Sequence, residues 1–110
     1  MGKKKRWPFA SYVAIPRKWI NGGCPEWTNL SLASKMLYVY IKAGYNLSNN
    51  GQIKLPYSRL RGHKGISHPP TISRSFKELE KAGFIKRTKL GGLYHGCSEY
   101  ELTGKFDPYL

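Results

Sequence analysis

The stretch from Gly65 to Leu102 constrains the fold of this chain more than any other feature of its sequence. A short turn comes first. A run whose apolar side chains recur every three or four positions follows it and predicts an amphipathic helix. Gly83 then ends the helix, because glycine readily adopts the left-handed conformation found at helix C-termini. The inward-facing positions of this helix are Ile72, Phe76 and Leu79.

The beginning of the helix is also marked in the sequence. Ser67 or His68 is the expected N-cap, and Pro69 and Pro70 fit only the first turn of a helix. The step of about 100° per residue places basic side chains opposite the apolar face, with Thr71 and Ser73 flanking them near the N-terminus. These basic residues are Arg74, Lys77 and Lys81.

Two strands are expected after this helix, over Ile85–Lys89 and Ser98–Leu102, with a glycine-containing loop between them. Alternation in the second strand predicts that Tyr100 and Leu102 face inward, while Glu99 and Glu101 face outward. The pattern therefore indicates a β-hairpin whose first strand is basic.

The preceding part of the chain predicts a helix over Leu32–Ala43 with Ser31 as its N-cap, and a second helix over Tyr57–His63. A short strand is expected between them, over Gln52–Leu55. Ile66 is expected to be a buried plug in the connection to the third helix. In the first helix the apolar stripe comprises Leu32, Met36, Leu37, Tyr40 and Ile41, with Lys35 and Lys42 outside it.

The organisation expected is a flexible basic arm over residues 1–10 and a single domain over residues 11–110. The arm contains Lys3, Lys4, Lys5 and Arg6. One interpretation is that these residues contact phosphates or enter a minor groove of nucleic acid. The other is that they form a solubilising or nuclear-targeting tail. Trp19 and Trp27 are expected to be core or docking residues rather than base-stacking platforms. Asp107-Pro108 is expected in a short C-terminal tail.

The net charge is the most unusual feature of the amino-acid composition. Nineteen Lys and Arg face six Asp and Glu, for a formal net charge of +13. From Trp27 through Lys77 the sequence has no acidic residue at all. A field of one sign attracts polyanions and speeds encounter with them, so nucleic acid is the expected partner. No run of about 18 apolar residues is present, so no membrane partner is expected.

Catalytic and metal-binding patterns are weak. The acidic pair Glu99 and Glu101 is most simply a solubilising pair on an outward strand face, so no enzymatic activity is expected. Cys24, His63, His68, His95 and Cys97 lack the paired spacing of zinc ligands. We therefore expect no catalytic residue, no metal and no cofactor. The cysteines are expected to be free thiols, and the basic start lacks the apolar segment of a secretory signal, so a cytoplasmic location is expected.

The order helix, strand, helix, turn, helix and hairpin resembles the winged helix-turn-helix family of bacterial and phage regulators and replication initiators. The residues that carry the resemblance are Gly65-Ile-Ser67, Thr71-Ile-Ser-Arg74 and Leu79-Glu-Lys-Ala-Gly-Phe-Ile85. The blocks Tyr12–Pro16, Leu37–Tyr40 and Gly51–Leu55 are similar to the amino-terminal domains of plasmid and phage replication proteins. Thr71 lies four residues after Ser67, where the family usually has three, so the turn is one residue longer.

The resemblance implies an α+β winged helix-turn-helix fold, with a three-helix core and a small antiparallel sheet or wing. It also implies double-stranded DNA as partner, with the third helix in the major groove. The positions expected to contact bases are then Thr71, Ser73, Arg74 and Lys77. The guanidinium group of Arg74 can donate two hydrogen bonds to guanine, at O6 and N7. Positions expected to contact the DNA backbone are Ser67, His68, Arg59, Arg61, Lys64, Arg87, Lys89, Tyr94 and His95.

The leading role expected is sequence-preferring DNA binding in transcription regulation, near the nucleoid. The first alternative is the DNA-binding domain of a phage or plasmid replication initiation protein. The second is an RNA-binding or architectural protein, in which tyrosines stack on unpaired bases. A homodimer on two half-sites is also an expectation for this family, although the sequence shows no heptad seam.

Overall fold

The computed structural model describes residues 12–46, 48–55, 57–60, 62, 66–89, 98–108 and 110. Within them, four α-helices and a three-stranded antiparallel sheet form an α+β fold, which confirms the expected class. The helices are α1 (Arg17–Ile20), α2 (Pro25–Thr28), α3 (Leu32–Ala43) and α4 (Pro69–Ala82). The strands are β1 (Ile53–Lys54), β2 (Ile85–Lys89) and β3 (Glu99–Leu102). The expected N-terminal arm over residues 1–10 lies outside the described residues, as does the hairpin loop over residues 90–97.

Helices α3 and α4 begin and end where their sequence signals place them. The Ser31 hydroxyl accepts a hydrogen bond from the Ser34 amide at 3.2 Å and so caps α3. At the C-terminal end of α4, Gly83 has a φ of 94°. The backbone amides of Gly83 and Phe84 both donate a hydrogen bond to the Leu79 carbonyl. A left-handed glycine of this kind ends a helix because residues with a Cβ rarely adopt that conformation.

The expected second helix over Tyr57–His63 is wrong in type and extent. The structure has a single 3-10 turn at Tyr57–Leu60, and Gly62 has a φ of 86°. That conformation is incompatible with a continuing right-handed helix. Leu60 is nevertheless fully buried, as expected, and Ile66 is the buried plug that the sequence predicts.

The sheet has the order β1-β3-β2, so the last strand of the chain is its centre. Ile85 pairs with Leu102 and Arg87 with Tyr100, and an irregularity at Thr88 shifts the register before Lys89 pairs with Glu99. Tyr100 and Leu102 are buried, which confirms the inward face predicted for this strand.

The core forms where α3, α4 and the sheet meet, and an aromatic cluster extends it. Phe76 of α4 stacks on Tyr100 of β3 with ring centroids 4.6 Å apart and planes 6° apart. Trp19 and Trp27 are buried, which confirms them as core residues. The rings of the aromatic cluster are those of Trp19, Trp27, Tyr38, Phe84 and Phe106. The short helices α1 and α2, which the sequence did not predict, carry its two tryptophans.

Two expectations for α3 are wrong. Leu32 and Met36, expected to face inward, are exposed, whereas Lys42, expected to face outward, is buried. The buried face instead contains Ser34 and Lys42, each of which has a polar partner elsewhere in the fold. Asp107 is also buried and bonded to Lys42, so the chain around it is part of the domain rather than a tail.

Candidate nucleic-acid interface

The outward side of α4 presents the residues that the sequence identified as reading positions. Ile72, Phe76 and Leu79 are buried, and they fix the rotation of the helix about its axis. Arg74 and Lys77 are consequently exposed, while Thr71 and Ser73 are half-buried beside them. The structure therefore brings all four predicted reading residues onto one accessible side of one helix.

The start of α4 is open to solvent. Ser67 and His68 are exposed, and His68 occupies the N-cap position without a side-chain capping bond. The first two helical positions are prolines, which have no backbone N–H. Thr71 is thus the first residue of the helix with an amide to offer. The start of α4 therefore offers a phosphate one free amide and the neighbouring hydroxyl groups.

A polar network joins α4 to the N-terminus of α3. The Glu78 carboxylate accepts hydrogen bonds from the Ser31 amide at 3.2 Å, from the Ser31 hydroxyl at 2.9 Å, and from the Ser34 hydroxyl. The Ser34 hydroxyl also lies 3.5 Å from the carbonyl oxygen of Ser75. An anion at this position complements the positive end of the α3 dipole.

These bonds determine the electrostatics of the network. The hydrogen bond from Ser34 contributes most to lowering the pKa of the Glu78 carboxyl below its ordinary value. The bonds from Ser31 and the positive charge of Lys35 act in the same direction, while partial burial opposes them. Glu78 is therefore ionised at neutral pH and engaged by α3.

Engagement of Glu78 has a consequence for Arg74. The two residues are four positions apart on α4, a spacing at which opposite charges commonly pair. Among the described residues, Arg74 forms no ion pair. The shallow groove between the two helices is lined by Ser31, Ala33, Thr71, Arg74, Ser75 and Glu78. Arg74 thus lies at the edge of this groove with its guanidinium available to an external acceptor.

The basic side chains of strand β2 lie on both faces of the sheet. Residues directly opposite one another in an antiparallel pair share a face. Arg87 is opposite Tyr100, whose ring stacks on Phe76 of α4, so Arg87 belongs to the face that carries α4. Lys89 is opposite Glu99 and lies 3.6 Å from its carboxylate. Lys54 of β1 approaches the same carboxylate at 3.9 Å.

The other predicted contact residues divide into two groups. Arg59 is exposed on the 3-10 turn that precedes α4. The remaining ones lie outside the described residues: Arg61, Lys64, Tyr94, His95, Lys3, Lys4, Lys5 and Arg6. The hairpin loop and the arm therefore stay predictions from the sequence.

The chain matches no protein-family model, no curated protein and no solved structure.

Three further findings concern metal binding, membrane insertion and the thiol of Cys24. No group of three or more His, Cys, Asp or Glu side chains among the described residues is placed to hold a metal ion. Within the same residues, no helix is long and apolar enough to cross a membrane. Cys24 is buried, and its Sγ lies 3.6 Å from the Glu26 carboxylate.

Sequence reasoning missed the residues that hold this surface in place. The sequence patterns indicated no role for either Glu78 or Ser34. One local signal was present, because Ser31 occupies an N-cap position. The partner of that N-cap is Glu78, which lies 47 residues further along the chain, and local patterns do not contain such information.

Proposed function

We propose that this chain is a winged-helix domain that binds double-stranded DNA, with α4 as the reading helix and the β2–β3 hairpin as the wing. The observation that carries the proposal is the outward side of α4, where Arg74 and Lys77 are exposed beside two hydroxyl-bearing side chains. An α-helix with this width and polarity fits the major groove. Guanidinium and hydroxyl groups are suitable donors to base edges and phosphates.

The arrangement of elements supports the same proposal. A 3-10 turn and a buried plug precede α4, and an antiparallel pair of strands follows it. Strand β2 begins at Ile85, just after α4 ends at Ala82, and the two elements are in contact. Arg87 lies on the α4 side of the sheet, where a backbone contact beside the major groove is favourable.

The distribution of negative charge also supports binding to a polyanion. Three of the six acidic side chains are engaged within the fold: Asp107 by Lys42, Glu99 by two lysines, and Glu78 by two serines. Their negative charges are offset or held inside the protein. Among the described residues, every Lys and Arg except Lys35 and Lys42 is exposed, and such side chains bind phosphates by releasing counterions.

Site-specific occupancy of DNA by a small domain is the chemistry of transcription regulation, which is the role we favour. Initiation of replication at a phage or plasmid origin would use the same surface. Mapping the bound sites on genomic DNA separates the two roles, because promoters and origins differ in position and in repeat structure.

The test is selection of bound sequences from a random duplex library at physiological salt. Wild type, Arg74→Ala and Lys18→Ala are compared. Lys18→Ala is the matched control, because it removes the same charge from an exposed position on α1. Trp19 of α1 packs against Phe84, beyond the C-terminal end of α4. An enriched motif that loses one base preference in Arg74→Ala alone supports the reading helix.

Two other outcomes would overturn the proposal. Tight, salt-sensitive binding without any enriched motif indicates an architectural protein rather than a sequence reader. Stronger competition by single-stranded or duplex RNA than by duplex DNA identifies RNA as the partner.

A further inference from the structure

The sequence contains the pair Asn-Gly at two places, Asn21-Gly22 and Asn50-Gly51. Both pairs lie in turns of the structure. A glycine has no side chain, so its backbone nitrogen can approach the side chain of the preceding asparagine with little hindrance. Spontaneous deamidation begins with that approach. It is therefore less hindered at these two asparagines than at an asparagine followed by a larger residue.

The side chains of the two asparagines differ in their hydrogen bonds. Asn21 is exposed at the C-cap position of α1, and its side chain makes no hydrogen bond to another of the described residues. Asn50 is exposed as well, but both polar atoms of its amide are bonded to one residue of β3. Its Nδ2 donates to the Leu102 carbonyl at 3.0 Å, and its Oδ1 accepts from the Leu102 amide at 2.8 Å.

The turn before β1 is thus attached to the rest of the sheet. Leu102 of β3 is 1% exposed, so its backbone amide and carbonyl need partners inside the protein. The Asn50 side chain provides both partners. The Thr88 hydroxyl of β2 donates a further hydrogen bond, to the Gly51 carbonyl. The Asn50-Gly51 pair is therefore held by both of the longer strands.

We propose that Asn50-Gly51 is a latent modification site, where deamidation occurs only after the turn has separated from β3. In the reaction the Gly51 backbone nitrogen loses its proton to water and forms a bond to Cγ of Asn50. The bond between Cγ and Nδ2 breaks, and the side-chain nitrogen takes up a proton and leaves as ammonia. Water then adds to the cyclic imide and opens it to aspartate or isoaspartate. Water is the only co-reactant.

The hydrogen bonds of the native turn oppose this reaction. Cγ of Asn50 has to turn toward the Gly51 nitrogen, but the two atoms bonded to Cγ, Oδ1 and Nδ2, are held against Leu102. Ring closure therefore requires both of these hydrogen bonds to break. Proteins open locally in this way with free energies that range from near zero up to that of global unfolding. Asn21 has no such restraint, so the two sites of one chain should react at different rates.

Deamidation also hinders the return of the turn to β3. An aspartate at position 50 still accepts a hydrogen bond from the Leu102 amide, but it has no N–H to donate to the Leu102 carbonyl. Its negative charge then lies against the oxygen of that carbonyl. Isoaspartate in addition lengthens the main chain between the turn and β1. Local opening of this edge of the sheet is thus converted into a covalent change that the protein does not reverse.

The experiment is incubation of the folded full chain at mildly alkaline pH, followed by proteolytic digestion. Tandem mass spectrometry then measures deamidation at Asn21 and Asn50 separately, so Asn21 is the control site within every sample. Wild type is compared with Thr88→Val, which removes the hydroxyl bonded to the Gly51 carbonyl and keeps a side chain of similar shape. A sample in urea gives the rate at each site without the fold, and circular dichroism verifies that both proteins are folded without urea.

We expect the two asparagines to deamidate at similar rates in urea. In the folded wild type, deamidation of Asn50 should be at least about tenfold slower than that of Asn21, because two hydrogen bonds must first break. Thr88→Val should accelerate the reaction at Asn50 and leave Asn21 unchanged.

Three results would overturn the proposal. The first is an Asn50 that does not deamidate in urea. The second is a rate at Asn50 in the folded protein that equals or exceeds the rate at Asn21, since the Leu102 amide would then fail to restrain the side chain. The third is a Thr88→Val variant whose rate at Asn50 is that of wild type. DNA is absent throughout, so these results are independent of the function proposed above.

Discussion

The ammonium group of Lys42 lies 2.6 Å from the Asp107 carboxylate in the protein interior, where the two side chains are 5% and 3% exposed. Tyr38 donates a hydrogen bond to the same carboxylate oxygen at 2.6 Å, and Lys42 also donates to the Ala14 carbonyl at 2.5 Å. Burial raises the pKa of the Tyr38 hydroxyl far above its ordinary value, and the hydrogen bond and charge of Asp107 add to this effect. Tyr38 therefore remains a neutral donor, and the cluster ties both ends of the described chain to α3.

The buried ion pair predicts a large loss of stability when one partner is removed. We expect Asp107→Asn to lower the free energy of unfolding by about 3–5 kcal/mol, because it leaves the Lys42 ammonium buried without its counter-charge. Urea denaturation followed by circular dichroism measures the loss. Lys42→Met/Asp107→Leu should cost clearly less than the sum of its single changes, since it leaves no uncompensated charge. A single-variant loss below about 1 kcal/mol would show that water reaches the pair.

The network at Glu78 predicts a dependence of stability on pH. Its folded-state pKa is lowered, so its contribution is present above the unfolded value of about 4.3 and is lost as pH falls through the folded value. Glu78→Gln should destabilise the protein at neutral pH by less than about 1 kcal/mol, because solvent screens this half-exposed carboxylate.

The difference between wild type and Glu78→Gln should shrink as pH falls below the unfolded value of about 4.3, and it should disappear once the carboxyl is protonated in the folded state as well. Urea titrations at a series of pH values measure it, with Glu80→Gln as the control on the same helix. A difference that stays constant from neutral to acid pH would mean that the loss arises from packing rather than from charge.

Periodicity was sufficient to predict the elements whose burial follows hydrophobicity. The bounds of α3 and α4, the inward face of α4 and the strand pair after Gly83 all follow from spacing, caps and alternation. These signals act within a few residues of one another. Local preference and tertiary packing agree there, so the sequence alone identifies the structure.

Prediction failed where a polar residue has a distant partner. Lys42 was assigned to the outside of α3 because lysine is rarely buried, but Asp107, which is 65 residues away, compensates its charge. Placing Lys42 and Ser34 inside rotates α3, so that Leu32 and Met36 face outward. The exposed apolar side chains of α3 and the Glu78 network were missed for this one reason. Neither Asp107 nor Glu78 is recognisable from local sequence as the partner of a residue in α3.

The stacked pair Phe76 and Tyr100 joins α4 to the central strand, which makes Phe76 a test of the fold. We expect Phe76→Ala to cost about 3–5 kcal/mol, because it removes a buried ring and leaves a cavity against Tyr100. Leu32→Ala is the matched control, since it truncates an apolar side chain that is exposed on α3. The control should change stability by less than about 0.5 kcal/mol. Equal losses in the two variants, measured by urea denaturation, would contradict the assignment of inward and outward faces.

The basic start of the chain predicts the salt dependence of DNA binding. Lys3, Lys4, Lys5 and Arg6 add four charges within six residues. If each neutralises a phosphate, deleting residues 1–6 lowers the slope of log affinity against log salt concentration by up to about 3–4, uniformly across DNA sequences. Fluorescence anisotropy with a labelled duplex at several salt concentrations measures the slope.

Replacing the same four residues with glutamine keeps the length of the arm and should give the same flattening. A deletion that flattens the slope when the glutamine variant does not would assign the effect to loss of chain rather than to charge. An unchanged slope in both variants would leave these residues as a tail that makes no contact with phosphates.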